Sequence, residues 1–245
     1  MITGKQEVGF LRIYALLIVL FLVSCASAPV RPPQEAAIFH AFVQDAVIRK
    51  VVDQCGELSV ELKNIAWMTR KEWWRRNGPF VEAADYGFSY NMLSLTDERQ
   101  RTGARYAMAV AYDVAYESEE IVTSALSSGN KQRVCQELLG EYREGEKDLN
   151  KNKSLYDLLL SLVQVSKNKH EDLLLKQAEV SAKSGKKFSR SSITAERLAN
   201  RQVCPRSLVS TLKADWPIEV FEVTCPDKSF SIISCSWGNC KVTKQ

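Results

Sequence analysis

Residues 97–126 read DERQRTGARYAMAVAYDVAYESEEIVTSAL. Thr96 or Asp97 can cap a helix at this point, and Gln100 completes an Asp-x-x-Gln capping box. Behind the cap, Ala104, Ala107, Met108, Ala111, Val114, Ala115, Ile121, Val122 and Ala125 recur at three- and four-residue steps. They form the apolar stripe of an amphipathic helix. Its many alanines let a neighbouring helix approach closely, and Ser127-Ser128-Gly129-Asn130 stops it. One long alanine-faced helix needs partners to cover its stripe, so the segment points to a helical bundle.

Working outward, the pattern supplies those partners. Residues 34–53 carry Phe39, Phe42, Val43, Ala46, Val47 and Val51 at helical steps. Residues 58–76 form a second helix holding Ile65, Trp67, Trp73 and Trp74, and Asn77-Gly78-Pro79 is expected to end it. A shorter helix follows over 79–95. Downstream, residues 131–149 place Cys135, Leu138, Leu139 and Tyr142 on one side, which predicts a buried Cys135. Residues 154–184 are helical but uneven. Lys167 to Asp172 is polar all round, so this is one projecting helix or two with a break. Residues 183–192 (KSGKKFSRSS) are basic, serine-rich and aperiodic, and read as a solvated, mobile linker. A short helix is expected near 194–202, and Pro205 is placed to open another through Lys213. After Pro217 the period changes to two. Ile218, Val220, Phe221 and Val223, then Phe230, Ile232 and Ile233, then residues 241–243 read as strands.

The chain starts differently. Ile13 to Val23 (IYALLIVLFLV) is uncharged and apolar. As a helix it spans roughly 16 Å, against a hydrocarbon core of roughly 30 Å. That is short for a membrane span and suits a signal-peptide h-region. Two cleavage sites compete. One is Ala26-Ser27-Ala28, where Pro29 would follow the cut awkwardly. The other is Leu22-Val23-Ser24-Cys25, which resembles the lipobox of bacterial lipoproteins. The resemblance covers this segment alone. It implies a diacylglyceryl thioether on Cys25, cleavage just before it, and a further acyl chain such as palmitate on the new amino group. Two or three chains hold a protein stably on a bilayer. Ala26 after the cysteine, in place of aspartate, resembles the outer-membrane address of Gram-negative lipoproteins. Ala26 to Gln34, with Pro29, Pro32 and Pro33, reads as a short extended tether.

Seven cysteines stand at 25, 55, 135, 204, 225, 235 and 240. Lipidation of Cys25 leaves six, enough for three bridges in an oxidising periplasm. Six cysteines permit fifteen connectivities. Pairing within regions is the simplest assumption and gives Cys55–Cys135. Cys235 and Cys240 flank Ser-Trp-Gly-Asn, a plausible hairpin turn, and could face each other, in which case Cys204 pairs with Cys225. A Cys225–Cys235 bridge is the least expected, since a hairpin turning at Pro226-Asp227-Lys228 holds the two roughly 17 Å apart. A metal site is disfavoured: no C-x-x-C occurs, and His40 and His170 lack partners at ligand spacing. No cofactor motif is present.

The apolar fraction of 45% is ordinary for a globular protein, and a net charge of +4 is too small to argue for nucleic acid. No G-x-S-x-G, H-E-x-x-H or P-loop occurs. Glu117-Ser118 resembles the catalytic Glu-Ser of lytic transglycosylases, but that family's other motifs are missing; no catalytic residue is assigned. The conspicuous stretch is WMTRKEWWRR (67–76). Trp67, Trp73, Trp74, Arg75 and Arg76 are the candidate partner-binding residues, for a sugar, a peptide or a membrane surface. The competing reading buries two of the tryptophans in the core.

The expected protein is mainly α: an antiparallel helical bundle with a small C-terminal, disulfide-stabilised β-hairpin or meander. Its parts are a lipoprotein signal peptide (1–24), a lipidated tether (25–35), the bundle (36–182), a basic linker with a short helix (183–203) and a Cys-rich α+β element (204–245). It is expected on the outer membrane, held by lipid and facing the periplasm. There it would bind an envelope partner without catalysis; a peptidoglycan-acting enzyme is the alternative.

Overall fold

Pro33 begins a helix at the position where proline fits best, the first turn, whose amide would lack a partner anyway. The helix, α1, runs Pro33–Gly56 and buries Ile38, Phe39, Val47, Ile48 and Val51. The computed structural model describes residues 31–97, 101–127, 129–168, 170–216 and 218–243. The leader, Cys25 and Gln100 lie outside the described residues. After α1 come α2 (Val60–Ser94), α3 (Arg101–Leu126), α4 (Lys131–Glu144), a 3-10 turn (Leu149–Lys151), α5 (Lys153–Asn168), α6 (His170–Ser184) and α7 (Ser192–Gln202). Four strands follow: β1 (Leu208–Asp215), β2 (Ile218–Thr224), β3 (Phe230–Ser236) and β4 (Asn239–Thr243). They form an antiparallel meander in the order β1-β2-β3-β4. The fold is a helical bundle carrying a small C-terminal sheet. Among the described residues no helix is long and apolar enough to cross a membrane.

The main core gathers α1, α2, α4 and α5 around Trp73, Leu139, Tyr142 and Leu159. Asn130 caps α4 by accepting from the amides of Gln132 and Arg133. Gly145, at φ 80°, turns the chain out of α4, with the Glu146 amide donating to Glu141 O at 2.9 Å. Asp97 does serve the start of α3: Oδ1 accepts from the Arg101 amide at 3.1 Å. Cys135 is buried, as its helical position predicts.

Three expectations are corrected. The helix expected to stop at Asn77-Gly78-Pro79 continues to Ser94, with Pro79 inside it. An interior proline costs roughly 3 kcal/mol, and tertiary anchoring offsets it. Asn77 Nδ2 donates to Trp73 O (3.1 Å) and Asp148 Oδ1 (2.8 Å), and Asn77 Oδ1 accepts from the Leu149 amide (2.9 Å). Gly78 leaves room for the Trp74 ring, which a Cβ there would meet at 3.0 Å. Second, residues 205–213 hold a strand, not a helix. Leu208, Val209 and Leu212 mimic helical spacing, but the segment pairs antiparallel with β2 and bulges between Thr211 and Lys213. Third, only the first part of the basic segment is solvated: Lys183, Gly185, Lys186 and Lys187 are exposed, whereas Phe188, Ser189, Arg190 and Ser191 are buried. The uneven 154–184 segment resolves into α5 and α6, on either side of residue 169.

The three bridges are Cys55–Cys135, Cys204–Cys225 and Cys235–Cys240. The first ties the end of α1 to α4. The last joins directly opposed residues of β3 and β4. A second small core, with Phe221, Val223, Ile233 and Cys235, seats α7 on the sheet through Ala195 and Ala199.

Candidate functional site

A cleft runs where α1 and α2 meet the two tight turns of the sheet. Its outer part is a groove of 630 Å³ walled by four indoles: Trp67 and Trp74 from α2, Trp216 from the β1–β2 turn and Trp237 from the β3–β4 turn. Its inner part is a cavity of 360 Å³ reaching α3. The two share Asp45, Asp85 and Trp237.

Helical periodicity on α1 sets the floor. Phe42, Asp45 and Arg49 follow at steps of three and four, so their side chains share a face. Asp45 is only 2% exposed. Its Oδ2 pairs with Arg49 Nη2 at 2.7 Å, while its Oδ1 is buried with no hydrogen-bond partner. Burial raises the Asp45 pKa above the ordinary carboxylate value, against the opposing pull of Arg49 and Arg70. The same burial lowers the Arg49 pKa, against the pull of Asp45.

Trp237 is presented by strained backbone. The hairpin pairs Ser236 with Asn239, leaving Trp237-Gly238 as a two-residue turn with both φ positive, at 51° and 79°. Such turns favour Asn-Gly, and a bulky residue at positive φ is an outlier. The indole packs against Phe42 at 6.2 Å between centroids, with the Arg49 guanidinium 5.9 Å from its centre. A Cβ on Gly238 would come within 3.1 Å of the Ala111 methyl, so a larger residue would crowd the turn against α3, at a φ that also favours glycine.

Trp216 is fixed by a buried network. Its Nε1 donates to Glu219 Oε1 at 2.9 Å. Glu219, 2% exposed on the inner face of β2, also accepts from the Arg190 amide (2.7 Å) and the Ser191 amide (2.9 Å). That places a carboxylate at the start of α7, where helix polarity favours negative charge. Arg190 stacks on Trp216 at 4.2 Å and pairs with Asp85 at 2.6 Å, so the sheet's turn and the face of α2 are braced together.

The tryptophan-rich stretch is divided by this geometry. Trp67 is 61% exposed, with Lys71 Nζ 5.5 Å over its ring, and Trp74 is half-buried; both wall the groove, and Arg70 and Lys71 line it. Trp73 is fully buried and donates to Lys147 O at 3.1 Å. Arg76 donates to Asp148 Oδ2 (2.7 Å) and Tyr142 O (2.6 Å), so it holds α2 to the turn after α4. Arg75 is exposed outside the groove lining. Glu117 lies on the exposed side of α3, without the burial that an acid catalyst needs. Among the described residues no cluster of three or more His, Cys, Asp or Glu is placed to hold a metal.

The sequence reading missed Asp45, Asp85, Arg190, Glu219, Trp216 and Trp237. Two signals were present. Asp45 interrupts an apolar helix stripe, and Trp216-Pro217 and Trp237-Gly238 put indoles where turns favour small polar residues. No protein-family model matches the chain, nor does any curated protein or solved structure in the same comparisons.

Proposed function

We propose that this chain is a lipid-anchored protein of the bacterial envelope that works by binding. It would act without catalysis, as an accessory factor in assembling an envelope complex or as an inhibitor of an exported toxin. The observation that carries the binding role is the groove walled by four tryptophans, with charged side chains of both signs along it. Fixed concave surfaces with a few placed polar groups are how proteins hold ligands. The Leu22-Val23-Ser24-Cys25 pattern supports the anchor. So does the use of the six other cysteines in three bridges, which suits an oxidising compartment. An anchored binder meets its partners at a raised effective concentration on the membrane.

Exposure of Glu117 argues against the transglycosylase-like alternative. The test is incubation of the full-length protein with purified peptidoglycan. The binding role predicts no release of muropeptides by the native protein or by Glu117→Gln. Release that Glu117→Gln abolishes would overturn it.

A further inference from the structure

Resting on that binding role, we infer that the cleft takes a neutral oligosaccharide. The ligand class follows from the balance of charge. Asp45 and Asp85 are already paired with Arg49 and Arg190, and the other charged groups of the lining, Arg70, Lys71 and Glu82, carry both signs. The groove therefore presents no strong field of one sign to a charged ligand. A neutral chain with many hydroxyls suits both signs, because each hydroxyl donates to a carboxylate or accepts from a cation.

The indoles supply the other half. Pyranose rings carry flat C–H faces, and indole faces cover such surfaces at little entropic cost because few bonds are frozen. Four indoles drawn from α2 and two separate sheet turns line a groove of 630 Å³, and Trp67 is the most exposed of them. That volume lies in the usual range for small-ligand sites, roughly 300–1,000 Å³.

Of the polar groups along the groove, Lys71 and Glu82 are exposed, and a sugar hydroxyl can accept from the one and donate to the other. The left-handed backbone at Trp237 points the same way, since strained positions cluster where a ligand is held.

Such a saccharide has two sources at the envelope: the N-acetylated cell-wall glycan, or a non-acetylated surface or storage glucan. The test uses full-length protein in a polyoxyethylene detergent, free of sugar headgroups, followed by tryptophan fluorescence. The probes are a tetramer of N-acetylglucosamine, maltotetraose and choline. The expected result is saturable change with at least one sugar, at a Kd below about 1 mM, and none with choline. Preference between the sugars identifies the source.

Trp67→Ala, at an exposed position whose loss leaves the core intact, should weaken binding several-fold with an unchanged melting temperature. No saturation with either sugar, saturation with choline alone, or full affinity in Trp67→Ala would overturn the inference. Mass spectrometry of the recovered sugar separates the two claims. Intact sugar agrees with both, whereas cleaved sugar supports the glycan site and overturns the non-catalytic role.

Discussion

Asp45 sits among Phe42, Val43 and Ala46 on the stripe that α1 turns toward its neighbours, where an acidic residue is out of place. It is buried at the cleft, with one carboxylate oxygen paired to Arg49. A carboxyl whose folded-state pKa is raised favours folding most when protonated. Its contribution is lost as pH rises from the unfolded-state pKa through the raised one. Relative to Asp45→Asn, the native protein should therefore lose stability across that window and level off above it. Urea unfolding of both proteins at a series of pH values measures this; a native-minus-variant difference that grows with pH would contradict it. Residues of this kind were hard to read in the sequence. Nothing local marks Asp45, Asp85, Arg190 and Glu219 as neighbours, because four separate segments of the chain supply them.

At the scale of elements, periodicity read the helices well. The stripes of α1, α3 and α4 are long and regular, and so is the period-two pattern of β2 and β3. It failed where tertiary contacts outvote local signals. Asn-Gly-Pro is a stop signal in a solvated helix, yet in α2 the asparagine is held by Asp148 and the Leu149 amide, and the glycine accommodates Trp74. The basic segment after α6 looked soluble by composition, but Phe188 is carried into the core and Glu219 takes up the Arg190 and Ser191 amides. The account of α2 separates two substitutions. Pro79→Ala, at an exposed position, restores an amide and should stabilise the protein by about 1–3 kcal/mol. Asn77→Ala leaves buried partners unmet and should destabilise it by about 2–3 kcal/mol. Thermal unfolding distinguishes them, and a destabilising Pro79→Ala would refute the reading of that helix.

Over the whole molecule, the sheet and the bundle form a single folded body. Trp216 and Trp237 pack on the bundle core from the sheet's turns, and Arg190 pairs with α2. The cleft lies on that junction, so stability there and binding depend on the same contacts. The Cys55–Cys135 bridge, 80 residues apart in sequence, restricts the unfolded chain by about 4 kcal/mol. The three bridges suit an oxidising compartment, and the proposed anchor would use Cys25, the remaining cysteine. Intact mass spectrometry of the mature protein under non-reducing conditions, after alkylation, addresses both together. The account predicts a polypeptide beginning at Cys25, heavier by its acyl chains, with its six other cysteines closed to the reagent. A mature chain in which Cys25 is absent or carries no lipid, or in which the other cysteines alkylate without prior reduction, would contradict it.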